Sequence, residues 1–283
     1  TGSTLTVGAG EESVLNLAAA ASGQDALYVT VSGVDTPVAA IVRTVSMEGL
    51  VSKGSDYVVP NNVSSKVLAV DGLVYGDNVT LYLYAAYKTD VTVSWVGADG
   101  GDPVNQQTLE ADRASSIELG DVPKNATGVI ISASKPVSAA ARIVDDGIDG
   151  QSDFALTNAS VPAKISAMAV PDRSVAQVGL LNISNEERTA TMTSYDVDGD
   201  LVDKRQITLG PSASMSVDVD DINDGDVAAI RLKDSSASMV WNLRIGQRDV
   251  SDAKIAGLAV IGAIDLKEAR EQVWANQDMT VVR

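Results

Sequence analysis

The sequence predicts an all-β fold built of tandem immunoglobulin-like β-sandwich repeats of about 100 residues each. Three observations carry this expectation: a recurring set of short motifs, about seven short strand-like segments per period, and almost no helical patterning. The first is the strongest. Residues 37–43 read Pro-Val-Ala-Ala-Ile-Val-Arg, residues 136–142 read Pro-Val-Ser-Ala-Ala-Ala-Arg, and residues 238–244 read Ser-Met-Val-Trp-Asn-Leu-Arg. Their closing arginines, Arg43, Arg142 and Arg244, stand 99 and 102 residues apart. A Ser-Asp pair follows each one: Ser55-Asp56, Ser152-Asp153 and Ser251-Asp252. Next come a lysine and an apolar strand, opening at Lys66, Lys164 and Lys254. A shared order at near-constant spacing is the signature of a repeat.

Between these anchors the middle period holds segments at 66–70, 79–85, 91–96, 105–109, 115–119, 127–133 and 137–144. Val91-Thr92-Val93-Ser94-Trp95 alternates with period two, as a half-buried strand requires. Gly76-Asp77-Asn78, residues 99–102 and Pro123-Lys124-Asn125 supply the turn chemistry between segments. The one helix-like segment spans residues 266–273. The resulting division is 1–54 as a half repeat, 55–151 and 152–250 as whole repeats, and 251–283 as a second half. Each half alone would leave strand edges and an apolar face uncovered, so either 251–283 completes 1–54, the arrangement tested below, or sequence upstream has been removed.

Composition narrows the chemistry. The net charge is −17, with 38 acidic residues against 21 basic ones. Such a surface repels phosphate backbones and anionic lipid, so no nucleic-acid partner is expected. No apolar run approaches the ~18 residues of a membrane span, so no membrane insertion is expected within this segment. The chain opens Thr1-Gly2-Ser3 without an initiator Met, the form of a processed product. There is no Cys and no His. That removes disulfides, thiolate metal sites, the usual general base and the common nucleophile–His triads. The compartment expected is extracytoplasmic, secreted or anchored through a segment elsewhere.

Candidate sites are few. Asp196, Asp198 and Asp200 alternate along one turn, and Asp218 to Asp226 is rich in oxygen ligands, which suits Ca²⁺. The EF-hand spacing fails, because Leu201 stands where Gly is needed and Ile207 where Glu is needed. Asp-Gly is also the ordinary hairpin turn. No metal and no cofactor are therefore expected. Tyr82 and Tyr84 share a strand face, with Tyr87 and Trp95 nearby in sequence, and can cover the sandwich or seat a neighbour. Val122-Pro123-Lys124-Asn125 is similar to a pilin lysine motif but reads as a plain turn. Five Asn-x-Ser/Thr sequons occur, at Asn62, Asn78, Asn125, Asn158 and Asn182. The residues singled out are the recurring Arg and Ser-Asp: Arg43, Asp56, Arg142, Asp153, Arg244 and Asp252. They are expected at junctions between modules, with Arg142 pairing Asp153 and Arg43 pairing Asp56.

Three features carry a family resemblance. Val178-Gly179-Leu180-Leu181-Asn182 is an apolar strand ending in Asn, followed by Ala190-Thr191-Met192 and the Asp198-Gly199 turn. Leu209-Gly210-Pro211 is a short turn in a Thr/Ser setting, and Ser152-Asp153-Phe154 follows a closing strand. The chain thereby resembles an uncharacterised family of secreted or membrane-anchored actinobacterial proteins, a domain of unknown function built of tandem β-sandwich repeats. The middle unit departs from the pattern, with Ala85 in place of the Asn. The resemblance implies an extracytoplasmic place and no catalytic residues. The function expected is a non-catalytic scaffold or binding protein of the cell envelope, its partner a protein or a cell-wall glycan. The alternative is a Ca²⁺-dependent or carboxylate-based glycan-active enzyme.

Overall fold

Periodic Val, Ile, Leu and Ala positions, interrupted every few residues by Gly, Asp, Asn and Pro, leave little choice but short antiparallel strands. The computed structural model describes residues 7–8, 11–17, 22, 26–30, 40–48, 51–58, 63–145, 153–171, 174–222, 227–248 and 255–265. The segment expected to be helical, 266–273, lies outside the described residues, as does Asp252. Among the described residues there is no α-helix. The chain is all-β.

The strands are β1 (Val42–Glu48), β2 (Val51–Val58), β3 (Ser65–Asp71), β4 (Asn78–Ala85), β5 (Thr89–Gly97), β6 (Gly100–Leu109), β7 (Arg113–Asp121), β8 (Ala126–Asp145) and β9 (Asp153–Asn158). They continue as β10 (Ile165–Ala169), β11 (Ser174–Asn182), β12 (Arg188–Tyr195), β13 (Leu201–Leu209), β14 (Ser214–Asp218), β15 (Ala229–Lys233), β16 (Met239–Arg248), β17 (Ile255–Gly262) and β18 (Ile264–Asp265).

They build two sandwich-like bodies. In the first, one sheet runs β6-β5-β8-β3 and the other β7-β4-β8-β9. Strand β8 serves both. Residues 126–133 pair with β3 and β5, and residues 138–145 pair with β4 and β9. The segments expected separately at 127–133 and 137–144 are thus one strand that turns the corner between sheets. Pro136 sits at that corner, where no ladder hydrogen bond is asked of it. In the second body the sheets run β13-β12-β15-β10, with β18 at the edge, and β14-β11-β16-β17. The two strand orders correspond one for one. In an immunoglobulin constant domain the first two strands pair in one sheet. Here β3 and β4 lie in different sheets, and so do β10 and β11.

Each body has its own core. Leu68, Val70, Leu81, Leu83, Val93, Trp95, Val129 and Ile131 are buried in the first. Val178, Leu180, Met192, Ile230, Leu232 and Trp241 are buried in the second. Alternation is clean along β4, where Val79, Leu81, Leu83 and Ala85 point inward and Thr80, Tyr82 and Tyr84 outward.

The pairing shifts the expected divisions. β9 is hydrogen-bonded to β8, with Arg142 opposite Leu156, so a boundary at 151/152 would cut a sheet. β17 is hydrogen-bonded to β16, with Arg244 opposite Val260, so a boundary at 250/251 would cut another. β17 therefore corresponds to β9, and to β2, where Arg43 faces Tyr57. It is not an opening strand. Lys254 misleads because it begins an apolar run, yet its spacing from Lys164 is 90 residues against 98 between Lys66 and Lys164. Within the run, Val260 packs into the first core while its backbone pairs in the second body. The strand expected beside residues 1–54 thus lies between β16 and β9.

Candidate functional site

Charge is buried where the two bodies meet. Along β3 and the first half of β8, Leu68, Val70, Val129 and Ile131 face the first core, so Ala69 and Ile130 face outward. These two join Val96 from β5 and meet Leu181 and Val240 of the second body in a small apolar cluster. The outer face of the β6-β5-β8-β3 sheet thus rests on the outer face of the β14-β11-β16-β17 sheet. Glycines make the approach possible. A methyl group on Gly179 would stand 2.3 Å from the Gly72 backbone nitrogen, and one on Gly128 would stand 2.7 Å from Leu181 Cδ1. Ser214 Oγ donates to the Val96 carbonyl at 3.0 Å and lies 2.6 Å from Thr127 Oγ1.

Arg244 locks this junction. Its guanidinium donates to Asp77 at 2.6 and 3.0 Å, to Asp145 at 3.1 Å and to the Gly72 carbonyl at 3.4 Å. The forked geometry is what guanidinium offers a carboxylate. Asp77 is 2% exposed, and its Oδ2 also accepts from Val74 N–H at 2.8 Å. Burial raises its pKa above the ordinary value, outweighing the opposing pull of Arg244. Beside it Asp71 is fully buried, and neither of its oxygens has a well-formed hydrogen bond. Burial pushes that carboxyl well up, against a weaker effect of the Gly72 N–H. The Asn242 side chain is equally buried and unpartnered. Asp71, Asn242 and Gly179 were not singled out from sequence. Gly179 inside a strand pattern was the available signal, since such a glycine marks close backbone approach.

The expected junction residues divide. Arg244 spans the junction. Arg142 lies opposite Leu156, and its guanidinium sits 5.3 Å from the centre of the Phe154 ring. Asp153 lies opposite Asp145, and its side chain is outside the described set. Arg43 lies opposite Tyr57 and Asp56 opposite Thr44, one step apart in the β1–β2 ladder. Asp56 Oδ2 accepts from the Leu156 backbone N–H, which ties β2 to β9.

Other candidates resolve into local structure. Asp196 Oδ1 accepts from the N–H groups of Asp198 and Asp200 at 3.0 and 2.8 Å, a turn held by its own aspartate. Among the described residues no group of three or more acidic side chains is placed to hold a metal. Trp95 is in the core. Tyr84 donates to Asp112 Oδ1 at 3.1 Å and stacks on Tyr28 with ring centroids 3.7 Å apart. Thr80, Tyr82, Ser116, Glu118 and Arg142 line an open polar concavity of about 480 Å³. Residues 123–126 close a turn, with Ala126 N–H donating to the Pro123 carbonyl at 3.0 Å.

Asn182, the end of the motif strand, is fully buried. Its Nδ2 donates to the carbonyls of Glu186, Leu209 and Gly210 at 2.8, 3.2 and 2.8 Å. Its Oδ1 accepts from the Ser184 N–H and Oγ at 3.0 and 2.9 Å. One side chain thus joins the strand-end Asn to the Leu209-Gly210-Pro211 turn, two of the motif's separate parts. At Ala85, the matching position of the first body, the backbone carbonyl accepts from Asp112 N–H instead, at 2.8 Å. The model of the Family of unknown function (DUF5719) matches residues 1–220. The chain belongs to that family. Its DUF5719 match takes in the whole first body, the junction glycines and Asn182. No curated protein matches the chain. Among solved structures, the PBSX exported protein XepA is 11% identical, with 66% of this chain and 89% of that one covered and a TM-score of 0.22. Oxalate decarboxylase from Bacillus subtilis is 10% identical, with 76% and 75% covered and a TM-score of 0.21. The stem and receptor binding domain of the spike protein P1 from bacteriophage PM2 is 12% identical, with 62% and 80% covered and a TM-score of 0.15. At such TM-scores none of the three lends this DUF5719 chain a function.

Proposed function

We propose that the chain is a non-catalytic, extracytoplasmic scaffold or binding protein of the cell envelope, from an actinobacterial family. Its immunoglobulin-like sandwich modules recur in tandem and are held in fixed orientation. The observation that carries this reading is the junction. Among the described residues the most deeply buried ion pair, Arg244 with Asp77, sits between two bodies, with Gly72 and Gly179 in near backbone contact around it. A buried pair of this kind is better suited to fixing geometry than to adding stability. A rigid spacer between binding surfaces uses such geometry. The partner is another protein or a cell-wall glycan.

The test is co-sedimentation of the full chain with peptidoglycan sacculi and with protein-bearing envelope fragments, while reducing ends are followed in the same tubes. Retention without release of reducing ends is expected. Release of reducing ends would replace this reading by that of a carboxylate-based glycan-active enzyme, and failure to sediment with either material would remove the envelope role.

A further inference from the structure

The contact between the two bodies has a second instance. Register defines which residues correspond. Thr80 faces Arg142 on body one, and Gln177 faces Arg244 on body two. Tyr84 therefore corresponds to Leu181, opposite Ser138 and Val240 respectively. Residues 26–32 read Ala-Leu-Tyr-Val-Thr-Val-Ser, and residues 126–132 read Ala-Thr-Gly-Val-Ile-Ile-Ser, 100 positions later. Tyr28 therefore corresponds to Gly128.

At the junction of the two bodies, Gly128 meets Leu181. On the outer face of the first body, Tyr28 meets Tyr84, ring on ring. The two contacts join the same pair of positions. A second pair agrees independently. β17 packs on β9, and β9 packs on β2, and these three strands correspond to one another. A third agreement concerns the arginine. Arg142 stands where Arg244 stands, beside a polar concavity, whereas Arg244 holds the Gly72–Asp77 turn.

We propose that the outer face of the β7-β4-β8-β9 sheet is the seat of a further sandwich unit, to which residues 26–30 and strands β1 and β2 of this chain belong. That unit docks by the same contact that joins the two bodies. Tyr28 and Tyr84 replace Gly128 and Leu181 as the central pair, trading close backbone approach for aromatic stacking. The contact is heterologous, one kind of face against another, so it can repeat along a chain without closing. The units then form a stack in which each touches only its neighbours. This inference concerns packing and stands apart from the envelope role.

Hydrogen–deuterium exchange on the full chain tests it, with Tyr84→Ala and Tyr84→Phe as variants. Tyr84→Ala is expected to speed exchange across 26–30, β1 and β2 by at least tenfold, with exchange at Gly179 and Leu181 unchanged. Tyr84→Phe keeps the ring, loses only the Asp112 hydrogen bond, and is expected to behave as wild type. The cysteine-free background allows a second arm, in which Tyr28→Cys with Tyr84→Cys should be joined within one chain by a bis-maleimide whose spacer covers the length of the two rings removed. Should Tyr84→Ala unfold the first body, the cysteine pair decides. Failure to cross-link would then overturn the proposal. In a folded Tyr84→Ala, wild-type exchange across 26–30, β1 and β2 overturns it whether or not the cysteines join.

Discussion

Asn182 is the residue on which the second body turns most tightly. It donates to the carbonyls of Leu209 and Gly210, the second of which also accepts from the Ala213 N–H at 3.3 Å, and it anchors Ser184. Asn182→Ala would take the amide donor from the Leu209 carbonyl and the acceptor from Ser184, and leave Gly210 with its Ala213 contact alone. Each buried polar group left unmet costs ~1–3 kcal/mol, so a loss of about 3 kcal/mol is expected. In a chain of this size that lowers Tm by roughly 6–12 °C. Calorimetry checks it, and a drop below about 2 °C would mean that water replaces the amide. The same burial removes Asn182 as a glycan acceptor in the folded protein, although it heads a sequon. Asp234 plays a comparable part where the second body separates β15 from β16. Burial alone would raise its pKa, but hydrogen bonds from the Ser236 hydroxyl and from the N–H groups of Ser238, Met239 and Ser236 prevail and lower it.

At the scale of elements, the junction depends on glycines in strands and at strand ends, not on bulk. Gly179→Ala brings a methyl group against the Gly72 backbone, which cannot swing aside as a side chain can. Overpacking of this kind costs about 1–3 kcal/mol. It should act on the junction and not on the second core, because the outer face, not Val178 or Leu180, receives the new atom. The expected result is faster amide exchange at Gly72, Ala69 and Val240, with the core strand β12 unchanged. Uniform loss of protection through the second body would show that the glycine serves its own sheet instead. Much of this architecture is legible in sequence. Period-two alternation placed β4 and β5, and the recurring Arg placed corresponding strands in β8 and β16. The ladder pairing was not legible. Lys254 opens an apolar run that looks like the runs at Lys66 and Lys164, and only hydrogen bonding to β16 assigns it to the end of a unit. Arg244 was found by its recurrence. Its partners Asp77 and Asp145 were missed, because they stand 167 and 99 residues away and look like ordinary turn and strand-end residues.

For the whole molecule, the buried carboxylates set an unusual dependence on pH. Asp71 and Asp77 have folded-state values raised above the ordinary 3.8, in both cases chiefly through burial. A raised carboxyl binds its proton more readily in the folded state than in the unfolded one. Between its unfolded and folded values the native chain therefore holds more protons, and stability falls as pH rises through that window. Acidification from neutrality toward the ordinary carboxylate range should then stabilise the protein. The net charge of −17 works in the same direction, because self-repulsion eases as carboxylates protonate. Asp234 works in the opposite direction. Its depressed value gives stability that is present above 3.8 and lost as pH falls through the folded value. The expected profile rises as pH drops from 7, passes a maximum above the ordinary carboxylate range, and collapses below it. Asp71→Asn keeps the shape of the group but removes its titration, so the variant should gain on wild type at pH 7 and converge with it in acid. Urea unfolding at a series of pH values measures both curves. A gap between wild type and variant that stays constant from neutral to acid pH would show that Asp71 does not titrate at the junction.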